Sequence, residues 1–396
     1  MTGSQLLIVL FVALIAWGTL ESYRHRQNLK RIPIRIHVNG TRGKSSVTRL
    51  IAAALREAGL VTCAKTTGTL ARMILPDARE VPIFRPAGAN VIEQARIVGA
   101  AAAYKSDALV VECMALLPEL QALCEFKMVR ATHAVITNTR PDHLDVMGPD
   151  EADVAKALCG MVPPGQVLVT AEKRNLETIR RTCEDRETRL VTVDPDEPLV
   201  SEAEMARLPF GEHPDNVAVA LAVCKELNVD REVALRGMEK CRQDPGAYSE
   251  CSLDFFGRKM LFCNAFAAND PISTAQLWNR ANRAHAELKT RIAIFNCRVD
   301  RPDRSLSLGK DFVNWAAADH VVLMGSGTFL MASTLTAAGF DAPRLVFAEG
   351  LNTEEIFERL VSLVDGSALL MGMGNVGGLG LELARHFKNR AYWKAA

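Results

Sequence analysis

The segment Asn39-Gly40-Thr41-Arg42-Gly43-Lys44-Ser45-Ser46 has the residue types of a phosphate cradle. Gly40 and Gly43 free the backbone so that successive N–H groups can point at phosphate oxygens. Lys44 brings a cation to the β- and γ-phosphates, and Ser45 can ligate Mg²⁺. The general phosphate loop has a glycine five residues before the one preceding lysine. Val38 stands there, so this is the shorter G-T-x-G-K-S-S form. A glycine-rich turn capping a helix would need the same glycines, but strand, glycines, Lys-Ser and helix arrive here in the order a nucleotide site requires. Two further segments could serve the same ligand. Glu112 ends the apolar run 108–111, where a carboxylate could reach a metal held by nucleotide phosphates. Asn138-Thr139-Arg140-Pro141-Asp142-His143-Leu144-Asp145 gathers two aspartates, an asparagine and a histidine in one loop. Helix capping by Asp142 or Asp145 would account for part of it and leaves His143 unexplained.

Such residues meet only if their strands end side by side. Short β-branched runs at 34–38, 108–112, 134–138, 166–170 and 190–193 read as strands, with helical stretches at 47–58 and 91–104 between the first of them. That alternation predicts a mostly parallel, doubly wound sheet with helices on both faces, in which ligands sit at the carboxyl ends of the strands. After Asp244-Pro245-Gly246 the alternation restarts at 259–263, 291–296, 320–324, 344–348 and 367–371, placing a domain boundary near Gly246. The charged stretch 172–189 reads as a solvated helix. Gly372-Met373-Gly374-Asn375-Val376-Gly377 fits G-x-G-x-x-G, but the chain ends too soon for the second strand and ribose-binding acid of a dinucleotide site. It reads as the last strand-to-helix turn.

A length of 396 residues accommodates two or three domains. A net charge of +1 offers no basic field for nucleic acid. Ten cysteines without a C-x-x-C pair read as reduced thiols of a cytosolic body, which also disfavours a zinc site. The N-terminus differs from the rest. Residues 4–20 form an uncharged, largely apolar run at the short limit for a membrane span. No positive charge precedes it, whereas Arg24, His25, Arg26, Lys30 and Arg31 follow it. That asymmetry predicts a retained single-span anchor with the body in the cytoplasm; a buried helix or a short signal sequence would fit the apolar run but not its flanks.

The loop, the strand-ending Glu112 and the T-N-x-x-x-D-H-L-D segment together resemble the Mur ligase superfamily of ATP-dependent amide ligases. Segments 65–73, 142–149, 244–247, 266–270 and 296–301 look like the ligase subunits of poly-γ-glutamate synthases, over essentially the whole chain. The resemblance implies an N-terminal anchor and basic flank (1–31), a P-loop Mur-ligase-like α/β ATPase domain (32–245) and a smaller α/β C-terminal domain (246–396). It implies ATP and Mg²⁺ as cofactors, glutamate and growing poly-γ-glutamate as substrates, and small membrane-protein subunits as partners. Lys44, Glu112 and His143 would be catalytic, with Ser45, Glu112 and His143 around the metal. Residues 39–46, Asn138, Asn216, Arg298, Asp300 and Arg301 would contact the nucleotide. Asn216 belongs to Glu212-His213-Pro214-Asp215-Asn216, which resembles the family's H-x-x-N segment near adenine and equally fits a helix cap by Asp215. Arg298, Asp300 and Arg301 would also fit a solvated charged loop.

Three departures limit the transfer. Lys156 is out of register for the family's carbamylated lysine, Ala247 replaces the arginine that commonly follows the Pro-Gly hinge, and no room precedes the loop for a uridine-nucleotide domain. The leading expectation is a membrane-tethered ligase extending poly-γ-glutamate. A folylpolyglutamate-type ligase would share the ATP chemistry, and a P-loop ATPase powering or regulating a membrane assembly would share the loop alone.

Overall fold

The computed structural model describes residues 2–68, 70–85, 88–193, 200–208, 212–244 and 247–391. Thr69, Pro245 and Gly246, singled out above, lie outside the described residues. The chain divides into two compact units, Met1–Asp244 and Pro245–Ala396.

The first unit holds strands β1 (Ile34–Asn39), β2 (Thr62–Thr66), β3 (Arg72–Ile74), β4 (Glu80–Pro82), β5 (Ala108–Glu112), β6 (His133–Ile136), β7 (Val167–Thr170) and β8 (Arg189–Thr192). They form one sheet in the order β4-β3-β2-β5-β1-β6-β7-β8. The strands from β2 to β8 in that order run parallel, and β3 and β4 extend one edge as an antiparallel hairpin. This is the doubly wound α/β sheet expected. Every residue of β5 is buried, and successive side chains leave on opposite faces. Ala108 and Val110 pack under helix α2 (Lys44–Glu57), whereas Leu109 and Val111 pack under helix α3 (Glu93–Ala103). Burial on both faces explains why the strand reads as an unbroken apolar run.

Helix α1 (Gly3–Lys30) is one continuous element, so the basic flank belongs to the same helix as the apolar run. Its Leu29 and the following Ile32 are buried with Cys63, Met73, Ile97 and Val98. The helix is therefore seated in the first unit at its carboxyl end. The apolar part stays exposed, and its length and composition suffice to cross a membrane.

The charged stretch 172–189 is only in part the solvated helix expected. The helix spans Leu176–Asp185, while Glu172 lies before it, buried, accepting hydrogen bonds from the Thr139, Lys173 and Arg174 amides. A carboxylate that gathers backbone donors gains more inside than a solvated one would.

The second unit contains β9 (Ser249–Phe255), β10 (Arg258–Asn264), β11 (Thr290–Cys297), β12 (His320–Gly325), β13 (Leu345–Glu349) and β14 (Ser367–Gly374), ordered β13-β12-β11-β14-β10-β9. Only β9 is antiparallel. On β11, Ile292 and Ile294 face one core and Ala293 and Phe295 the other. Gly372–Gly377 does form the last strand-to-helix turn, ahead of the helix Leu379–Arg390.

Candidate active site

The order of the first sheet reverses beside β1, so the carboxyl ends of β1, β5 and β6 open onto one crevice. The phosphate loop leaves β1 there and enters α2. Gly40 has φ +126, and a Cβ on it would stand 2.0 Å from Thr137 Oγ1; Gly43 has φ +80, and a Cβ there would stand 2.3 Å from Asn216 Oδ1. Both positions therefore require glycine, by conformation and by space. No side chain caps the amino end of α2, and its first turn carries no acidic residue. Its unpaired N–H groups and positive dipole end remain available to an anion. Lys44 Nζ lies 2.6 Å from Gly40 O, curled over the same loop.

Glu112, 2% exposed, ties the loop to β5 and β2. Its Oε2 accepts from Ser45 Oγ at 2.8 Å and from the Thr67 amide at 2.7 Å. The segment after β6 braces the other side. Asn138 Oδ1 accepts from Thr41 Oγ1 (2.7 Å) and the Arg42 amide, and Nδ2 donates to Arg42 O (3.0 Å). Asn39 Nδ2 donates to Gln121 Oε1 at 2.7 Å. The geometry thus makes Asn39 and Asn138 supports of the loop's shape. Arg42 pairs with Asp142 at 3.1 Å, which positions the D-H-L-D segment against the loop.

His143 adopts φ 48, ψ 47, the left-handed region that non-glycine residues seldom occupy. Its carbonyl receives the Val146 and Met147 amides, so His143 itself caps the short helix Leu144–Met147, a place the sequence offered to Asp142 or Asp145. Its Nε2 stands 3.9 Å from Asp142 Oδ1. That conformation holds the His143 side chain beside Asp142 and the phosphate loop. The helix Pro214–Glu226 is likewise capped by His213, whose Nδ1 accepts from the Asp215 amide, and not by Asp215. Asn216 sits against Gly43 and donates to Glu212 Oε1 at 2.7 Å. Lys156 is 67% exposed and pairs with Asp153, consistent with its exclusion from the site.

Sequence reading passed over a buried charge cluster next to Glu112. Lys65, fully buried at the end of β2, pairs with Glu93 at 2.8 Å, and Arg85 forks onto Glu93 at 2.6 and 2.8 Å. Burial alone would raise the Glu93 carboxyl; Arg85 and Lys65 outweigh it and hold Glu93 below its ordinary value. Lys65 lies in a segment that carries the resemblance, but its partners stand 20 and 28 residues away in sequence, so nothing local marks the cluster.

Beneath the crevice, His37 on β1 is fully buried, with Nδ1 2.8 Å from Glu125 Oε2. Burial alone would lower its pKa; the Cys113 sulfur and the Glu125 carboxylate outweigh it and raise it to about 9. In the second unit, Arg298 and Asp300 form a two-armed pair at 2.9 and 2.6 Å on the loop after β11, both largely exposed, and Arg301 directly precedes the helix Pro302–Phe312 without a side-chain cap. Among the described residues no three His, Cys, Asp or Glu side chains cluster around a common point.

Residues 38–240 match the Mur ligase middle domain, and residues 252–390 match the poly-gamma-glutamate synthase CapB C-terminal domain. The chain is 37% identical over 369 residues to the capsule biosynthesis protein CapB of Bacillus anthracis, covering 93% of this chain and 79% of that protein. The chain belongs to the CapB family of Mur ligases. A second CapB relative, the PGA synthase CapB of Bacillus subtilis (strain 168), is 34% identical over 94% of this chain and 95% of its own length. The CapB fold is shared with folylpolyglutamate synthases. The Mycobacterium tuberculosis enzyme complexed with ADP and AMPPCP superposes with a TM-score of 0.65 at 18% identity, covering 95% of this chain and 98% of its own. A bifunctional folylpolyglutamate synthase/dihydrofolate synthase with Mn, AMPPNP and L-glutamate bound gives 0.68 at 18% identity, covering 92% of each chain. At that identity the likeness concerns the fold.

Proposed function

We propose that this CapB-family chain is an ATP-dependent ligase that joins glutamate units through the γ-carboxyl group at the cytoplasmic face of the membrane. The observation that carries the site assignment is the 2.8 Å hydrogen bond between Ser45 and Glu112, which joins the phosphate loop to the strand-ending carboxylate in one crevice. Residues 39–46 would seat the ATP phosphates at the uncapped end of α2, and Lys44 would stabilise charge on the transferred phosphoryl group. One γ-carboxylate oxygen attacks the γ-phosphorus, ADP leaves and an acyl phosphate forms. The amine of the next unit attacks the acyl carbon, inorganic phosphate leaves, and the amine proton passes to solvent.

Ser45 and Glu112 are hard oxygen donors of the kind Mg²⁺ accepts beside nucleotide phosphates, and bound there it would offset repulsion between carboxylate and phosphate. His143 is assigned to the same reaction from its held conformation beside Asp142. Asn216 from the first unit, and Arg298, Asp300 and Arg301 from the second, are assigned to the nucleotide. We take 1–31 as anchor and flank, 32–245 as the ATP-binding domain and 246–396 as the second ligase domain. The anchor is supported by the continuous helix whose carboxyl end is buried in the body, and small membrane subunits would meet the chain there.

The test is product analysis of the full chain in membranes with ATP, Mg²⁺ and labelled D- or L-glutamate. Glutamate-dependent ADP release accompanied by polymer is expected. ADP release that follows folate instead, or that needs no acceptor, would overturn the assignment.

A further inference from the structure

Tyr23, Arg26, Gln27 and Lys30 are spaced i, i+3, i+4, i+7 along α1 and so share one face of the helix. That face lines an open cavity of about 670 Å³, bounded on the other side by Arg35, Phe126, Arg130 and Pro164. The cavity lies at the amino ends of β1, β6 and β7, the opposite end of the sheet from the phosphate loop. With about 3.3 Å per residue along β1, it is roughly 20 Å from the nucleotide crevice. It therefore needs an occupant of its own.

Its charge is one-sided. Four cations, Arg26, Lys30, Arg35 and Arg130, line it, and none of them forms an ion pair among the described residues. The one acid in the lining, Glu125, is already committed to His37 and to the Ala131 amide. Arg35 is fixed in place by the carbonyls of Ile32 (2.6 Å) and Arg130 (2.8 Å). Burial pulls Arg35 below its ordinary value; the Glu125 carboxylate acts against that pull and the Arg130 charge adds to it. A cavity built this way attracts an anion that arrives with part of its own apolar surface, since Phe126 and Pro164 complete the wall.

Position decides which anion. The apolar run ends at Leu20, and at about 1.5 Å per residue Tyr23 and Arg26 stand roughly 5 and 9 Å beyond it. The headgroup layer of one leaflet is about 5–8 Å deep, so these side chains lie at or just below lipid phosphates. We propose that the cavity between α1 and the amino end of the first sheet binds the phosphodiester headgroup of an anionic phospholipid, drawn from the membrane that α1 crosses. The inference rests on the anchor reading. The site would fix the body against the bilayer by chemistry distinct from burial of the span, through basic side chains that each contribute favourably near an anionic surface.

The test uses the full chain in detergent mixed with equal phosphatidylcholine and phosphatidylglycerol. After delipidation, retained lipid is extracted and quantified by mass spectrometry. Phosphatidylglycerol should be retained over phosphatidylcholine by about tenfold. Arg26→Gln with Arg130→Gln should abolish that preference, since about fivefold per residue for two residues exceeds it. Both residues are exposed, and glutamate-dependent ATP turnover in detergent should be unchanged. Arg26→Lys with Arg130→Lys should restore the preference. Equal retention of the two lipids by the wild type, an unaltered preference in the glutamine variant, or displacement of the lipid by inorganic phosphate alone would overturn the proposal. So would a glutamine variant that keeps its lipid but no longer copurifies with integral membrane proteins, since an acidic protein segment would then be the occupant. A wild-type chain extracted from membranes by alkaline carbonate overturns the anchor and the lipid site together. A chain that stays in the membrane without lipid preference overturns the lipid site alone.

Discussion

The two units use the same sheet design and treat its carboxyl edge differently. In the first, the residues leaving β1, β5 and β6 bond to one another: Ser45 to Glu112, Asn138 to Thr41 and Arg42, and Arg42 to Asp142. In the second, Asn296 is tied to Asn375 and Gly377, and Glu349 to the Gly327 and Thr328 amides, but the charged pair assigned to the nucleotide stands outside that net. Phe262 stacks on Phe387 at 4.1 Å, Phe295 meets Phe312 edge-on, and Trp278 Nε1 donates to Ala316 O, while Arg298 and Asp300 sit on an exposed loop. The difference teaches where preorganisation resides. A loop whose polar groups are already paired in the right shape loses little on binding, so substitutions within it fall on chemistry. Substitutions at an exposed pair fall on contact alone.

The contrast is broken most sharply at Lys44. Lys44→Ala should cut ATP turnover by about 10²–10³-fold, as for loss of one preorganised donor to transition-state charge, with the melting temperature almost unmoved. Retained turnover in a folded variant would remove the loop from the chemistry. Next comes Glu112→Gln, which keeps the shape and removes the charge shared by Ser45 and Thr67. A metal requirement raised roughly 10- to 100-fold in a magnesium titration is expected, and an unshifted titration would make Glu112 a brace only.

The third probe asks whether the support beneath the loop is electrostatic. His37 has a folded pKa raised from 6.5 to about 9, so the stability it gains from its partners is fully present below pH 6.5 and is lost as pH rises through 9. The melting-temperature gap between wild type and Glu125→Gln should therefore narrow between pH ~6 and pH ~10. A gap constant across that range would mean that the pair contributes by packing alone. The smallest effect is expected at Arg298→Ala. The melting temperature should stay within about 2 °C, because exposed pairs contribute little, while the KM for ATP rises severalfold with kcat kept. An unchanged KM would leave the Arg298–Asp300 pair as a surface feature.

What the sequence revealed follows burial and distance along the chain. β5 was legible because all five of its residues are apolar or terminal to an apolar run, and the phosphate loop because its residues are contiguous. β2 was not, since Thr62-Cys63-Ala64-Lys65-Thr66 hides a buried strand behind polar letters, and its hairpin partners β3 and β4 are three residues each. β9 was missed for the same reason, with Ser249, Glu250 and Ser252 breaking its pattern. Glu172 was read by composition as solvent-facing, yet four backbone amides hold it inside. Lys65 and Glu93 meet only after the chain has turned back through β3 and β4, a distance no local pattern spans. The resemblance named Asn138, but only the geometry separates bracing the loop from touching a ligand.

Between Leu20 and Arg31 helix α1 has no glycine or proline, and Leu29 in its last turn is buried beside Ile32. As a membrane span it is a stiff mast and not a tether. A flexible linker would let the enzyme sample a hemisphere whose radius grows with linker length. A spanning helix seated at its base would hold the nucleotide crevice at one height and one tilt relative to the bilayer, leaving lateral drift and spin about the membrane normal as the remaining freedoms. A change of bilayer thickness that tilts the mast must then swing the whole body with it, so the mechanical state of the lipid reaches the active site without any hinge in between.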